Sequence, residues 1–134
     1  MAGLTDPQTV APFVTQTGVT SLAVSIGTAH GLYKREPKLR FDLLEQINRL
    51  TPAMLVLHGG SGTPDQMIKD AIAAGVSKIN IGTELKLAFV EGVKETLAKN
   101  PGVDDPRHLV GPARERVKAV TKEKMRLFGS SGRA

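Results

Sequence analysis

Three short strings in this sequence combine glycines with polar side chains that could do chemistry: Gly27-Thr28-Ala29-His30-Gly31, His58-Gly59-Gly60-Ser61-Gly62 and Asn80-Ile81-Gly82-Thr83. The last two suggest a phosphate ligand. Glycine lets the backbone approach an anion, Ser61 and Thr83 add hydroxyl donors, and helix N-termini supply unpaired N–H groups and a favourable dipole. His30 and His58, each flanked by glycine, suit joint coordination of a metal through imidazole nitrogens. Two ligands do not complete a catalytic zinc site, which takes three protein ligands and an open position. The remaining histidine, His108, falls in a remote DDPRHL link. Singly, each histidine reads better as a hydrogen-bonding residue at a strand end; the pair, with phosphate loops between them, favours coordination. Lys34 reads equally as an anion-binding side chain or a solvated one.

These strings need elements to position them. Thr5-Asp6-Pro7 reads as a cap and a first-turn proline, and Val10, Phe13 and Val14 recur at helical spacing up to Gly18. Ser21 to Ile26 is a short β-rich run that leads into a loop where Gly and Pro forbid regular structure. A second helix is expected from Phe41 to Leu50. The strand Met54 to Leu57 ends on His58, and Thr63-Pro64-Asp65 then opens a helix with Met67, Ile68, Ala71 and Ile72 facing inward. Ser77 to Ile81 is the third strand, after which Thr83 caps a helix running through Leu97. A link from Asn100 to Pro106 precedes a long cationic helix from about Pro112 to Phe128, read as a solvated face.

Strands alternating with helices indicate a parallel sheet and the α/β class, in which ligands bind at the C-terminal ends of the strands. A (β/α)8 barrel takes about 250 residues and eight strands, so three strands fit the last part of a barrel, with a small doubly wound sheet as the competing architecture. Phosphate sites in barrels follow the last two strands, where the second and third strings would fall.

Composition narrows the function. The chain has 134 residues, 40% of them hydrophobic and 23% charged, enough for one modest core. There is no cysteine, which excludes disulfides and thiolate metal sites. The net charge of +5 could attract polyanions, but only 4% of residues are aromatic, which argues against a nucleic-acid stacking platform. No apolar run approaches the roughly 20 residues that span a bilayer, and no targeting segment is evident at the N-terminus, so a cytoplasmic protein is expected.

Taken together and in order, SLAVSIGTAHGLYK, LVLHGGSG, SKINIGTELKLAF and DPRHLVGPARERVKAV resemble the C-terminal half of class II fructose- and tagatose-bisphosphate aldolases, over essentially the whole chain. The resemblance implies a zinc-dependent barrel that cleaves a ketose 1,6-bisphosphate to dihydroxyacetone phosphate and glyceraldehyde 3-phosphate, with no nucleic-acid or membrane partner and a homo-oligomeric full-length form. It implies His30 and His58 as zinc ligands and leaves a monovalent cation open. It gives Gly31, Gly59, Gly60, Ser61, Asn80, Ile81, Gly82 and Thr83 to the sugar phosphate, with Lys34 assisting at the phosphate. Zinc would act as a Lewis acid on the ketone while the loops anchor the substrate.

Two departures follow from the same resemblance. The family's remaining zinc histidine, the aspartate that moves the proton and an upstream acidic segment belong to the N-terminal half, so no catalytic acid or base is assigned here and residues 1–134 are expected to be a partial domain, inactive alone. Fructose-type members commonly carry Asp at the Gly82 position and Arg at the Lys86 position, so a tagatose-type enzyme is favoured. A non-catalytic half barrel that self-associates and binds a sugar phosphate is the alternative.

Overall fold

Leu55, Val56 and Leu57 are apolar in succession because the strand they form, β2 (Met54–Leu57), is covered on both faces; all three are buried. The computed structural model describes residues 3–29, 31 and 37–133. In it β2 lies between β1 (Ser21–Ala23) and β3 (Val76–Ile79), both parallel to it. Ser21 pairs with Met54 and Ala23 with Val56 on one side; Leu57 pairs with Ile79 on the other, after a register shift between Leu55 and Val56.

Three helices cover this sheet: α1 (Pro7–Thr17), α2 (Phe41–Leu50) and α3 (Asp65–Ala73). Asp6 caps α1 by accepting from the Gln8 N–H at 3.0 Å, with Pro7 in the first turn, and Gly18 ends it in the left-handed conformation. From α2 the residues Leu43, Leu44 and Ile47 are buried, and from α3 Ile68 and Ala71, each set on one helical face. Burying a side chain such as Leu44 or Ile47 contributes about 1.5–3 kcal/mol. Met67 and Ile72, expected inward, are only half-buried.

Three boundaries differ from the sequence reading. β1 stops at Ala23 because the next backbone groups are taken by partners outside the sheet. The Ser25 N–H donates to Thr5 Oγ1, the Ser25 carbonyl accepts from Thr5 N–H, and the Ile26 carbonyl accepts from Arg40 N–H. β3 begins one residue early and ends at Ile79. The last helix, α5 (Pro106–Leu127), begins six residues before Pro112. Asp105 caps it through the Arg107 N–H at 2.8 Å and Pro106 takes the first turn, repeating the Asp-Pro signal that starts α1. His108 is therefore a first-turn helical residue of α5, not part of a link.

The chain divides into two compact units, residues 1–81 and 82–134. The second unit is a pair of helices, α4 (Thr83–Lys99) and α5. They approach closely at Gly92, where an added Cβ would lie 2.6 Å from Ala113 Cα. Glu95 pairs with Arg116 across the helices, and Glu84 with Lys124. No helix is long and apolar enough to cross a membrane among the described residues.

Candidate functional site

Parallel pairing brings the C-terminal ends of the three strands to one edge of the sheet, and the loops that leave them are pressed together there. β2 runs through His58 into Gly59, whose φ of 70° lies in the left-handed region. A Cβ at Gly59 would fall 2.3 Å from the Ala29 carbonyl oxygen. The residue after His58 thus meets the residue before His30. Gly60 closes against the other neighbour, since a Cβ there would lie 2.8 Å from Ile79 Cγ2 and 3.0 Å from Ile81 Cδ1. The Gly59-Gly60 backbone is held between the two flanking chain segments, as the strand order requires.

His58 is exposed, with Nε2 2.9 Å from Asn80 Nδ2. The Asn80 side-chain oxygen accepts from Lys78 Nζ, and its backbone N–H donates to the Leu57 carbonyl at 3.0 Å. Lys78 occupies the amide oxygen, and the ring tautomer sets which of Asn80 and His58 donates in the contact between them. Ser61 and Thr63 are buried, at 3% and 5% exposure. The Thr63 hydroxyl donates to the Gly59 carbonyl at 3.2 Å and its N–H to the Gly60 carbonyl at 3.2 Å. Among the described residues no buried side-chain polar atom lacks a partner. The loop is therefore braced from beneath before any ligand arrives.

Of the residues expected from sequence, His58, Gly59, Gly60, Ser61, Asn80 and Ile81 come together in the first unit. Gly31 is half-buried with a φ of 98°. His30 and Lys34 lie outside the described residues. Gly82 and Thr83 open α4 in the second unit, but the cap position belongs to Gly82 and no side chain caps the helix. Thr83 is the first helical residue instead of its cap. Nor does Thr63 open α3: Pro64 holds the cap position, and the Thr63 hydroxyl has turned back to the Gly59 carbonyl.

Neither Lys78 nor Thr63 was expected at the site from the sequence. Lys78 stands two residues before Asn80 on an extended chain, which puts the two on one face and could have marked it. Thr63 carried no such signal, because its role depends on a fold-back of the loop.

An exposed imidazole at a strand end, in a chain without thiols, is chemically suited to zinc. Among the described residues no group of three or more His, Asp or Glu side chains is arranged to hold a metal ion, and His58 is the one histidine described in the first unit. A groove of about 490 Å3 between α1 and β1, lined by Val10, Phe13, Leu22 and Val24 among others, contains no titratable side chain. The strand-end edge, with an imidazole, an amide, an ammonium and glycine backbone, is the part of the first unit equipped to bind an anionic, oxygen-rich ligand.

Comparison with known proteins gives a consistent result. The family model for class II fructose-bisphosphate aldolase matches residues 1–133. A fructose-bisphosphate aldolase of Geobacillus stearothermophilus is 50% identical over 129 residues, which is 96% of this chain and 45% of that protein. The crystal structure of the YdjI aldolase from Escherichia coli K12 is 44% identical with a TM-score of 0.84, over 98% of this chain and 47% of that one. A fructose-bisphosphate aldolase structure from Campylobacter jejuni is 28% identical with a TM-score of 0.77, over 94% of this chain and 45% of that one. The chain spans about half the length of each of these relatives.

Proposed function

Because the chain belongs to the class II fructose-bisphosphate aldolase family, we propose that it carries the phosphate-binding side and part of the metal site of a ketose-1,6-bisphosphate aldolase. The observation that carries this is the His58–Asn80 pair at adjacent strand ends, beside a glycine loop braced by Ala29, Ile79 and Thr63. In this reading residues 1–134 are the last three βα units of a (β/α)8 barrel and its C-terminal helix, one partial domain of an enzyme that is homo-oligomeric at full length.

His58, with His30, would hold zinc, with a monovalent cation as an optional second ion. When bound, zinc supplies a Lewis acid for the ketone oxygen that gains charge as the carbon–carbon bond breaks. The chain's own groups orient the substrate. Gly31, Gly59, Gly60 and Ser61 present backbone and hydroxyl donors to dihydroxyacetone phosphate. Asn80 steers both the His58 ring and a substrate hydroxyl, Ile81 walls the site, and Gly82 and Thr83 offer the N-terminus of α4 to the phosphate, assisted by Lys34. No acid or base is assigned within these residues, so the chain alone binds but does not turn over.

Gly82 and Lys86 favour tagatose 1,6-bisphosphate. The name of the 50% identical Geobacillus relative favours fructose 1,6-bisphosphate instead. The test is complementation. The chain is mixed with a polypeptide covering the N-terminal half of the Geobacillus relative, with zinc, and cleavage of each bisphosphate is followed through the triose phosphates released. Cleavage by the mixture, absent from either part and lost in His58→Ala, supports the proposal. Cleavage by the chain alone would remove the claim of inactivity. A mixture that forms a zinc-loaded complex yet cleaves neither sugar would favour the non-catalytic half barrel.

A further inference from the structure

Asn80 stands between two partners of different chemistry. Its amide oxygen accepts from Lys78 Nζ, and its amide nitrogen lies 2.9 Å from His58 Nε2. The backbone of Asn80 is already fixed, since its N–H donates to the Leu57 carbonyl at 3.0 Å. The last side-chain torsion is roughly two-fold, so a half-turn there exchanges the amide oxygen and nitrogen. The two partners respond differently to that exchange. A ring nitrogen accepts or donates according to tautomer, so an imidazole can meet either end of the amide. An ammonium only donates, so Lys78 can meet only the oxygen.

We propose that Lys78 is a positioning residue for the strand-end site: by holding the Asn80 oxygen it keeps the Asn80 nitrogen on the His58 side, and so sets which end of the amide a ligand encounters. The extended chain of β3 places Lys78 for this, because residues 78 and 80 fall on one face. Charge assistance makes its hydrogen bond stronger than a neutral one. The effect on a ligand rests on the assignment of Asn80 to the sugar phosphate; the orientation of the amide does not.

The test uses the whole 134-residue chain labelled with 15N. The side-chain NH2 signals of Asn80 are identified by their absence in Asn80→Ala, and their nuclear Overhauser effect to the His58 ring protons reports which end of the amide faces the ring. His58 has a further interaction of its own, so the amide and not the ring is the decisive readout. The effect should be present in the parent chain and in Lys78→Arg, and fall by about half in Lys78→Met, where neither end is selected. It should vanish in Lys78→Glu, whose carboxylate only accepts and therefore selects the nitrogen. Its absence from the parent, or an undiminished effect in Lys78→Glu, overturns the proposal. Dihydroxyacetone phosphate is then titrated, with dissociation constants from 31P NMR. Lys78→Met should weaken binding roughly three- to tenfold and Lys78→Arg by less than about twofold. In an Asn80→Ala background Lys78→Met should change affinity by less than about twofold, because its effect passes through the amide. Equal weakening in both backgrounds would show that Lys78 acts on the ligand directly and overturn the positioning role. Position 78 is exposed; if Lys78→Met nonetheless lowers the folded fraction in a thermal melt, the spectra of Lys78→Arg and Lys78→Glu decide. A parent chain with no saturable binding removes the sugar-phosphate reading, while the spectra still decide whether Lys78 sets the amide.

Discussion

Gly59 shows how a single residue ties the candidate site to the fold. Its backbone is left-handed, and the space a side chain would need is filled by the Ala29 carbonyl. Gly59→Ala therefore combines backbone strain with a clash against main chain that cannot swing away. We expect it to destabilise the chain by about 2–4 kcal/mol, read as a lower urea midpoint, and to disturb the neighbouring His58–Asn80 hydrogen bond. A midpoint unchanged from the parent would show that the loop can re-form without this contact. The glycine was legible in the sequence as part of a phosphate-type loop. Its contact was not, because Ala29 is 30 residues away along the chain and reaches Gly59 only through parallel pairing. Asn80 was likewise expected at the site, whereas its bond to His58 emerged only once β2 and β3 were in register.

At the scale of elements, α2 and β2 fall where the hydrophobic periodicity places them, since each is an uninterrupted pattern with clear breakers on both sides. α5 starts six residues before the expected Pro112, because the segment read as a link ends in Asp105 and Pro106, which form its cap and first turn. Pro112 nevertheless sits inside the helix. The cap supplies the missing organisation at the N-terminus. Asp105→Ala should cost about 1 kcal/mol and shorten α5 from its N-terminal end, seen as faster amide exchange at residues 107–111 and a loss of helical circular dichroism. Exchange confined to the C-terminal end instead would contradict the capping role. The early stop of β1 has a different origin: Thr5 and Arg40, distant in sequence, claim the carbonyl and amide groups that a longer strand would have offered.

For the whole molecule, the resolved ionisation shifts of carboxylates share one direction. A side-chain hydrogen bond from Arg40 lowers Asp42 from 3.8 to about 2; Arg116 lowers Glu95, Arg107 lowers Asp105 and Lys118 lowers Glu115 in the same sense. A carboxylate with a depressed folded-state value contributes stability that is complete above its unfolded value and is lost as pH falls through the folded one. Stability should thus be flat near neutral pH and decline as the medium is acidified from about pH 5 towards pH 2. Each pair is exposed, so the individual contributions are small. Urea midpoints across this range check the sign, and Arg40→Gln should flatten the most acidic part of the curve. A midpoint that rises on acidification would contradict it.

The sequence by itself determined the α/β class, the family and most of the strings at the candidate site, because hydrophobic periodicity, turn residues and glycine–polar motifs are local properties of the chain. Only the tertiary structure decided which of those strings meet and what holds them. Ala29 against Gly59, Asn80 against His58 and Lys124 against Glu84 are contacts between residues 22 to 40 positions apart. They form when strands pair and helices pack, and no local pattern encodes such proximity.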